Sequence, residues 1–296
     1  MLSGQLFTEY FLNDGIQETT AWRGMAPATL EDFRSSLLSI YRNFPVGGAP
    51  SEAQTEQDLI FPVLEALGWG HYLTQASLGR GRQHVPDMLL FAGAQEKSRA
   101  NAEPTPDHKF RHGLAICENK AWQLPLDRAS AGGAAGELGA PSTQILRYLS
   151  LAEVQSNGRI LWGILTNGRH WRLYYQKAHS RSEQFLELDL PAILGLPGFE
   201  SLFLPDAAAR DHWLKVFLLM LRRGSFIPEG APGRSFHDLA LDEGRLWEER
   251  VAQDLSSLVF EKVFPDLIAG LAQSDPAAPK PLTTGYLTEV KEAALI

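Results

Sequence analysis

The stretch from Ile160 to Gln176 constrains the fold most. Ile160-Leu161-Trp162-Gly163-Ile164-Leu165 is an apolar run of strand length, and His170 to Gln176 alternates in the manner of a return strand. Thr166-Asn167-Gly168-Arg169 separates them. Asn-Gly between two apolar runs is a strong hairpin signal, because a tight turn needs residues that adopt positive φ at low cost. A chain with this segment builds antiparallel sheet around a buried strand. Phe185-Leu186-Glu187-Leu188-Asp189-Leu190 alternates as one strand more.

Two stretches upstream add strands that carry charge. Leu114-Ala115-Ile116-Cys117-Glu118-Asn119-Lys120 reads as a short buried strand ending in polar residues. Side chains on a strand alternate faces, so Leu114, Ile116, Glu118 and Lys120 are expected on one face, with Ala115 and Cys117 on the other. A carboxylate and an ammonium two residues apart form either a salt bridge at a strand end or part of a metal site. Val85-Pro86-Asp87-Met88-Leu89-Leu90-Phe91 is a second apolar strand opened by Pro-Asp, and proline is tolerated at the start of a strand. Asp87 beside Glu118 would supply hard oxygen ligands of the kind that suit Mg²⁺.

The flanking helices extend the pattern. Ser51 to Gly68 carries Leu59, Val63, Leu64 and Leu67 at helical spacing, with Gly68 as its stop. Glu56 falls near its start, where the helix dipole favours an acid. Ser142 to Leu149 begins another helix, on which Gln144 and Tyr148 stand four apart and share a face. Tyr72-Leu73 and the basic stretch Gly79-Arg80-Gly81-Arg82-Gln83-His84 lie between the first helix and the Pro-Asp strand. Arg80, Arg82 and His84 are as well suited to a solvated loop as to phosphate contact.

Taken in order, the Glu56 helix, Pro86-Asp87, Glu118-x-Lys120, Gln144-xxx-Tyr148 and the Asn167-Gly168 hairpin resemble the PD-(D/E)XK nuclease superfamily. They are similar in particular to the N-terminal nuclease domain of type I restriction subunits and of fused, type IIG-like restriction-modification enzymes. The resemblance covers about residues 51–178. It implies a restriction-endonuclease-like α/β core, a mixed central sheet flanked by helices, followed by an all-helical connector. By the same resemblance, Asp87 and Glu118 are the principal Mg²⁺ ligands, with Mn²⁺ as a substitute metal. The backbone carbonyl of Asn119 and the Glu56 carboxylate are further ligands, Lys120 orients or helps activate the attacking water, and Gln144 is a positioning group. The implied partners are double-stranded DNA and a methyltransferase or specificity component, in the same longer polypeptide or as a separate subunit. The polar stretch over residues 93–113 reads as a surface insertion, and it makes the gap from Asp87 to Glu118 longer than the compact pattern.

Three regions are expected: an N-terminal helical extension over 1–50, the nuclease domain over 51–190, and a helical spacer over 191–296. In the first, Thr29 is the expected N-cap of a helix bearing Leu30, Phe33, Leu37, Leu38 and Tyr41. The net charge of −8 argues against an independent nucleic-acid grip, but the acidity is uneven. Residues 51–180 hold 13 basic and 12 acidic residues, while residues 181–296 hold 11 and 18, so the acid lies after the candidate site. That balance permits DNA contact without requiring it. Cys117 is the only cysteine, which excludes an intramolecular disulfide and a cysteine-based zinc site and fits a reducing cytoplasm. No basic-then-apolar leader is visible at the N-terminus, and the run from Trp213 to Leu221 is too short and too interrupted by Lys215 to cross a bilayer. Gly132-Gly133-Ala134-Ala135-Gly136 lacks the Gly-Lys-Ser/Thr ending of a P-loop, and no His-Glu-x-x-His or Gly-x-Ser-x-Gly motif occurs. The rival expectation is a nuclease-like docking module in which Glu118 and Lys120 form only a salt bridge. An RNA-directed nuclease is a weaker one.

Overall fold

The computed structural model describes residues 4–75, 86–128, 139–229, 233–274, 278–281 and 283–294. The basic stretch with Arg80, Arg82 and His84, and the glycines 132–136, lie outside the described residues. The chain forms two compact units, Met1–Leu241 and Asp242–Ile296.

The first unit is α/β, with a six-stranded mixed sheet in the order β1-β2-β3-β4-β5-β6. The strands are β1 (Tyr72–Thr74), β2 (Met88–Leu90), β3 (Ala115–Asn119), β4 (Trp162–Thr166), β5 (His170–Tyr175) and β6 (Phe185–Asp189). All neighbours are antiparallel except β3 and β4, which run parallel. A parallel pair needs a crossover, and a helix supplies it here. Helices cover both faces: α1 (Pro27–Asn43), α2 (residues 52–66), α3 (Ala94–Ala102), α4 (Pro141–Gln155), α5 (Ala207–Leu221) and α6 (Phe236–Leu258), whose C-terminal part enters the second unit.

The expected hairpin is β4–β5. Asn167 donates its N–H to the His170 carbonyl at 3.4 Å, and its side-chain oxygen accepts from Arg169 and His170 N–H at 3.0 and 2.7 Å. Gly168 has φ +80, and a Cβ there would lie 2.6 Å from Leu59 Cδ2, so glycine is required by both conformation and space. On one face of the sheet, Met88, Cys117, Ile164, Trp171 and Leu188 pack with residues of α1, α2 and α5 such as Leu37, Leu59 and Phe217. On the other, Leu89, Ile116, Leu165 and Tyr174 pack against Ile145, Tyr148 and Leu149 of α4. Gly163 lets α4 come close, since a Cβ there would meet Ile145 at 3.3 Å.

The core includes Phe11, Leu37 and Tyr41 from the N-terminal region as well as Leu190, Leu214 and Phe217 from beyond β6. The chain accordingly divides after Leu241 rather than near residues 50 and 190, because these helices bury their apolar sides on the sheet itself. Three local expectations also change. α1 begins with Pro27 at its first turn and Ala26 as N-cap, so Thr29 lies inside the helix; proline at this position needs no donor. The polar stretch 93–113 is not a bare insertion: it forms α3 and the 3₁₀ turn Asp107–His112, anchored by buried Ala100 and Phe110. Leu114 precedes β3 and joins the opposite cluster from Ile116, because the alternation begins only where the ladder does.

Both π-helical turns among the described residues precede a Phe-Pro pair. In α2, Glu56–Ile60 is π-helical and the Phe61 N–H reaches the Glu56 carbonyl; further on, Val259–Val263 is π-helical and the Phe264 N–H reaches Val259. Pro62 and Pro265 lack an N–H and crowd the carbonyl four residues back, and one widened turn relieves this without ending the helix.

The second unit contains the end of α6, the turn Val259–Val263, and the helices Phe264–Ser274 and Thr284–Ala294. It leaves Leu246, Leu255, Leu258, Phe260, Val263 and Leu267 exposed. Among the described residues, no helix is long and apolar enough to cross a membrane.

Candidate active site

The site forms where β2 and β3 meet. Pairing sets Met88 opposite Cys117, so Asp87, one residue earlier, comes level with Glu118. The Asp87 N–H donates to Glu118 Oε2 at 3.3 Å, and Asp87 Oδ2 accepts the Asn119 N–H at 2.7 Å. The strand edge thus locks two carboxylates together through backbone donors, a rigid mount for charged groups. Lys120 completes the set, with Nζ donating to Glu118 Oε1 at 2.7 Å. Its backbone N–H is tied to the Thr166 carbonyl at 2.8 Å, which continues the parallel pairing past the end of β3. Glu118 and Lys120 are 2% and 6% exposed, so this pair is nearly dry.

Electrostatics follow from that burial. Burial raises the Glu118 pKa to about 8; the Asp87 charge adds to the rise, and Lys120 only partly opposes it. Burial likewise raises Asp87 to about 6, against the pull of Lys120 and the Asn119 N–H. Burial would lower Lys120, but the Glu118 and Asp87 carboxylates hold it well above its ordinary value. The neighbouring carboxylates thus favour the ammonium form of Lys120, which suits hydrogen-bond donation and charge stabilisation. Two acids share one lysine, and this excess negative charge is what a divalent cation would neutralise.

Glu56 reaches the site differently from expectation. Ser51 caps α2 and Glu52 occupies its first turn, so Glu56 sits one turn further on, at the start of the π-helical segment. Its Oε1 accepts from the Asn119 side-chain amide at 3.0 Å. Asn119 alternates with Glu118 along β3, so Glu56 contacts the strand through the side chain of the opposite face. Its charge still contributes to the rise of Asp87. Gln144 donates to the Tyr148 hydroxyl at 2.9 Å, and Tyr148 feels the site: after burial, the Glu118 charge is the largest influence raising its pKa. Asp87 and Lys120 thus each hydrogen-bond to Glu118, Glu56 is joined through Asn119, and Gln144 bonds to Tyr148, which is linked to the site by the Glu118 charge alone.

The Asn119 side chain was not expected as a contributor. It is fully buried between Glu56 and Cys117 Sγ, with Cys117 Sγ at 3.3 Å from its Oδ1. An asparagine inside an apolar strand is the signal that could have revealed it, because a buried amide needs partners. Thr55 and Trp122 form a second unexpected tie: Thr55 Oγ1 accepts the Trp122 N–H at 3.0 Å and binds the turn after Lys120 to α2.

Among the described residues, no three His, Cys, Asp or Glu side chains are grouped in a way that could hold a metal by themselves. Asp87, Glu118 and the Asn119 carbonyl make a smaller donor set. Mg²⁺ commonly uses one or two carboxylates, with water and substrate phosphate completing its shell, so that set is chemically adequate for it.

A second charged cluster stands on the same sheet. Arg172 on β5 donates from Nε to Glu187 Oε2 at 2.5 Å and from its two terminal nitrogens to the Asp127 carboxylate at 2.6 and 2.7 Å. Arg169 pairs with Asp189 at 2.8 Å. No protein-family model matches the chain, and neither a curated protein nor a solved structure matches it.

Proposed function

We propose that the chain is a Mg²⁺-dependent DNA endonuclease domain of a restriction-modification or phage-defence system, acting in the cytoplasm with a methyltransferase or specificity component. The observation that carries this reading is the contact set of Asp87, Glu118 and Lys120 at one strand edge. The order helix, β1, β2, β3, crossover helix, β4, with the carboxylates on β3 and just before β2, supports the restriction-endonuclease-like reading. Asp87, Glu118 and the Asn119 carbonyl would hold the metal, with the Glu56 carboxylate nearby. The metal supplies charge neutralisation at the phosphate and a water acidic enough to attack it. Lys120, held as an ammonium, donates to an oxygen of the reacting group and offsets charge that develops there. Gln144 would act as a positioning group together with Tyr148, to whose hydroxyl it donates and which feels the Glu118 charge.

The test is cleavage of supercoiled plasmid at low salt, with Mg²⁺ or Mn²⁺, by the wild type, Asp87→Ala and Lys120→Ala. Metal-dependent nicking that falls by about a hundredfold to a thousandfold in both variants is expected, since removing a single charge-stabilising group costs about 10²–10³. Absence of cleavage together with absence of metal binding in calorimetry overturns the reading. It would leave the docking module, in which the Glu118–Lys120 pair serves only the strand end. Cleavage of RNA but not of DNA would transfer the same chemistry to an RNA substrate.

A further inference from the structure

We infer that Arg172 is a second phosphate subsite on the catalytic face of the sheet, occupied in the free protein by the Asp127 carboxylate. The nature of the ligand rests on the nuclease reading; the geometry of the site does not. Register places Glu118 opposite Leu165 and Leu165 opposite Arg172, so Arg172 projects from the same face as Glu118. Two strand spacings separate their backbones by about 10 Å. That separation is short enough for one nucleic-acid strand to meet both positions.

The two sides of the guanidinium differ in kind. Its Nε side is built into the sheet: Glu187, its register partner on β6, accepts at 2.5 Å, and the Phe185 ring lies 4.5 Å beneath. The Tyr174 hydroxyl, 3.3 Å from one terminal nitrogen, also belongs to the sheet. The other side is held from a turn. Asp127 takes both terminal nitrogens, yet its side chain is 64% exposed against 6% for Arg172. Two acceptor oxygens facing a guanidinium fork is also the geometry in which arginine binds phosphate. Asp127 further meets the Ser142 hydroxyl in the first turn of α4, the end of a helix that favours negative charge. An exposed carboxylate on a buried arginine at a helix start occupies the place a phosphate oxygen pair would take. His170, whose Nδ1 stands 3.8 Å from Glu187, is the remaining titratable neighbour on β5.

The experiment measures binding of a short fluorescent DNA duplex by anisotropy, with Ca²⁺ in place of Mg²⁺, across a salt series. Asp127→Ala is expected to bind roughly tenfold tighter than wild type, the scale of a charge-assisted hydrogen bond gained. Its salt dependence should steepen by about one phosphate contact. Arg172→Gln in the Asp127→Ala background should remove the gain. Asp127→Ala binding no tighter than wild type, with an unchanged salt slope, overturns the inference and makes Asp127 simply a structural partner. If Arg172→Gln fails to fold by circular dichroism, the sign of the Asp127→Ala effect decides alone. The two readings fail separately. Gain of binding upholds the subsite whatever the plasmid assay gives, absence of both cleavage and metal binding removes the nuclease reading, and cleavage by wild type without the gain removes only the subsite.

Discussion

Each of the two charged clusters on the sheet joins an aspartate, a glutamate and one basic residue, yet they reach opposite electrostatic states. At the β2–β3 edge, Asp87 and Glu118 share one lysine and their pKa values rise. Around β5 and β6, Arg172 meets two carboxylates from separate directions, and the Asp127 carboxyl is held below its ordinary range by the guanidinium. The difference lies first in burial, which pushes Asp87 and Glu118 up, whereas the Asp127 side chain is 64% exposed; the geometry of the cation adds to it. A guanidinium offers a planar fork with donors along two edges, whereas an ammonium is a point charge that Glu118 largely claims. One cluster is satisfied from within the chain; the other retains an unmet preference for positive charge. Under the proposed function, stability and activity therefore fall to different clusters.

Three changes test that assignment. The largest effect on stability is expected from Arg172→Ala, a loss of about 3–5 kcal/mol in urea denaturation, because Glu187 would be left as a buried charge. Asp87→Asn should instead cost little or stabilise the metal-free protein, since it removes a carboxylate that the fold already pushes toward its neutral form. A large loss in Asp87→Asn and none in Arg172→Ala would reverse the roles of the clusters.

The second change is pH. The folded chain holds protons on Asp87 and Glu118 more tightly than the unfolded chain does, so stability without divalent ions should fall as pH rises through their titration. His237 acts in the other direction: full burial lowers its pKa to about 4 from 6.5, so acidification through that window destabilises the fold. The two effects separate between pH 6.5 and 8, where Glu118, raised to about 8, dominates. Thermal unfolding should therefore decline over that range, flatten with millimolar Mg²⁺, and lose its slope in Glu118→Gln. A slope unaffected by both would show that the edge carboxylates are not the groups titrating.

The smallest change is Glu56→Gln. Glu56 meets β3 through the Asn119 amide, and glutamine keeps an acceptor there. Stability should shift by less than about 1 kcal/mol, as for a neutral hydrogen bond. Cleavage should fall only several-fold, read as initial nicking rate. A loss as deep as that of Lys120→Ala would place Glu56 among the direct ligands.

Much of this arrangement was legible in advance because it is local. Pro86-Asp87 and Glu118-Asn119-Lys120 are polar residues at the ends of apolar runs, and alternation assigns Glu118 and Lys120 to one face before any partner is known. The Asn167-Gly168 turn was legible for the same reason, since its positive φ is a property of one residue. The role of Asn119 as a bridge was not, because its partner Glu56 belongs to α2 and only packing brings it within 3.0 Å, although Cys117 is a neighbour on the same strand. The Arg172–Asp127 pair joins residues 45 apart, and no spacing rule connects a strand arginine with a turn aspartate.

The sequence by itself determined the element types, the hairpin, the strand-end charges and the proline positions that widen two helical turns, because each depends on neighbours a few residues away. Tertiary structure alone decided that the N-terminal helices and α5 share the core of the sheet, that Lys120 is committed to Glu118, and that Asp127 covers Arg172. Those outcomes depend on which buried surfaces meet and which charges are dried together. That is a property of the packed molecule and of no segment within it.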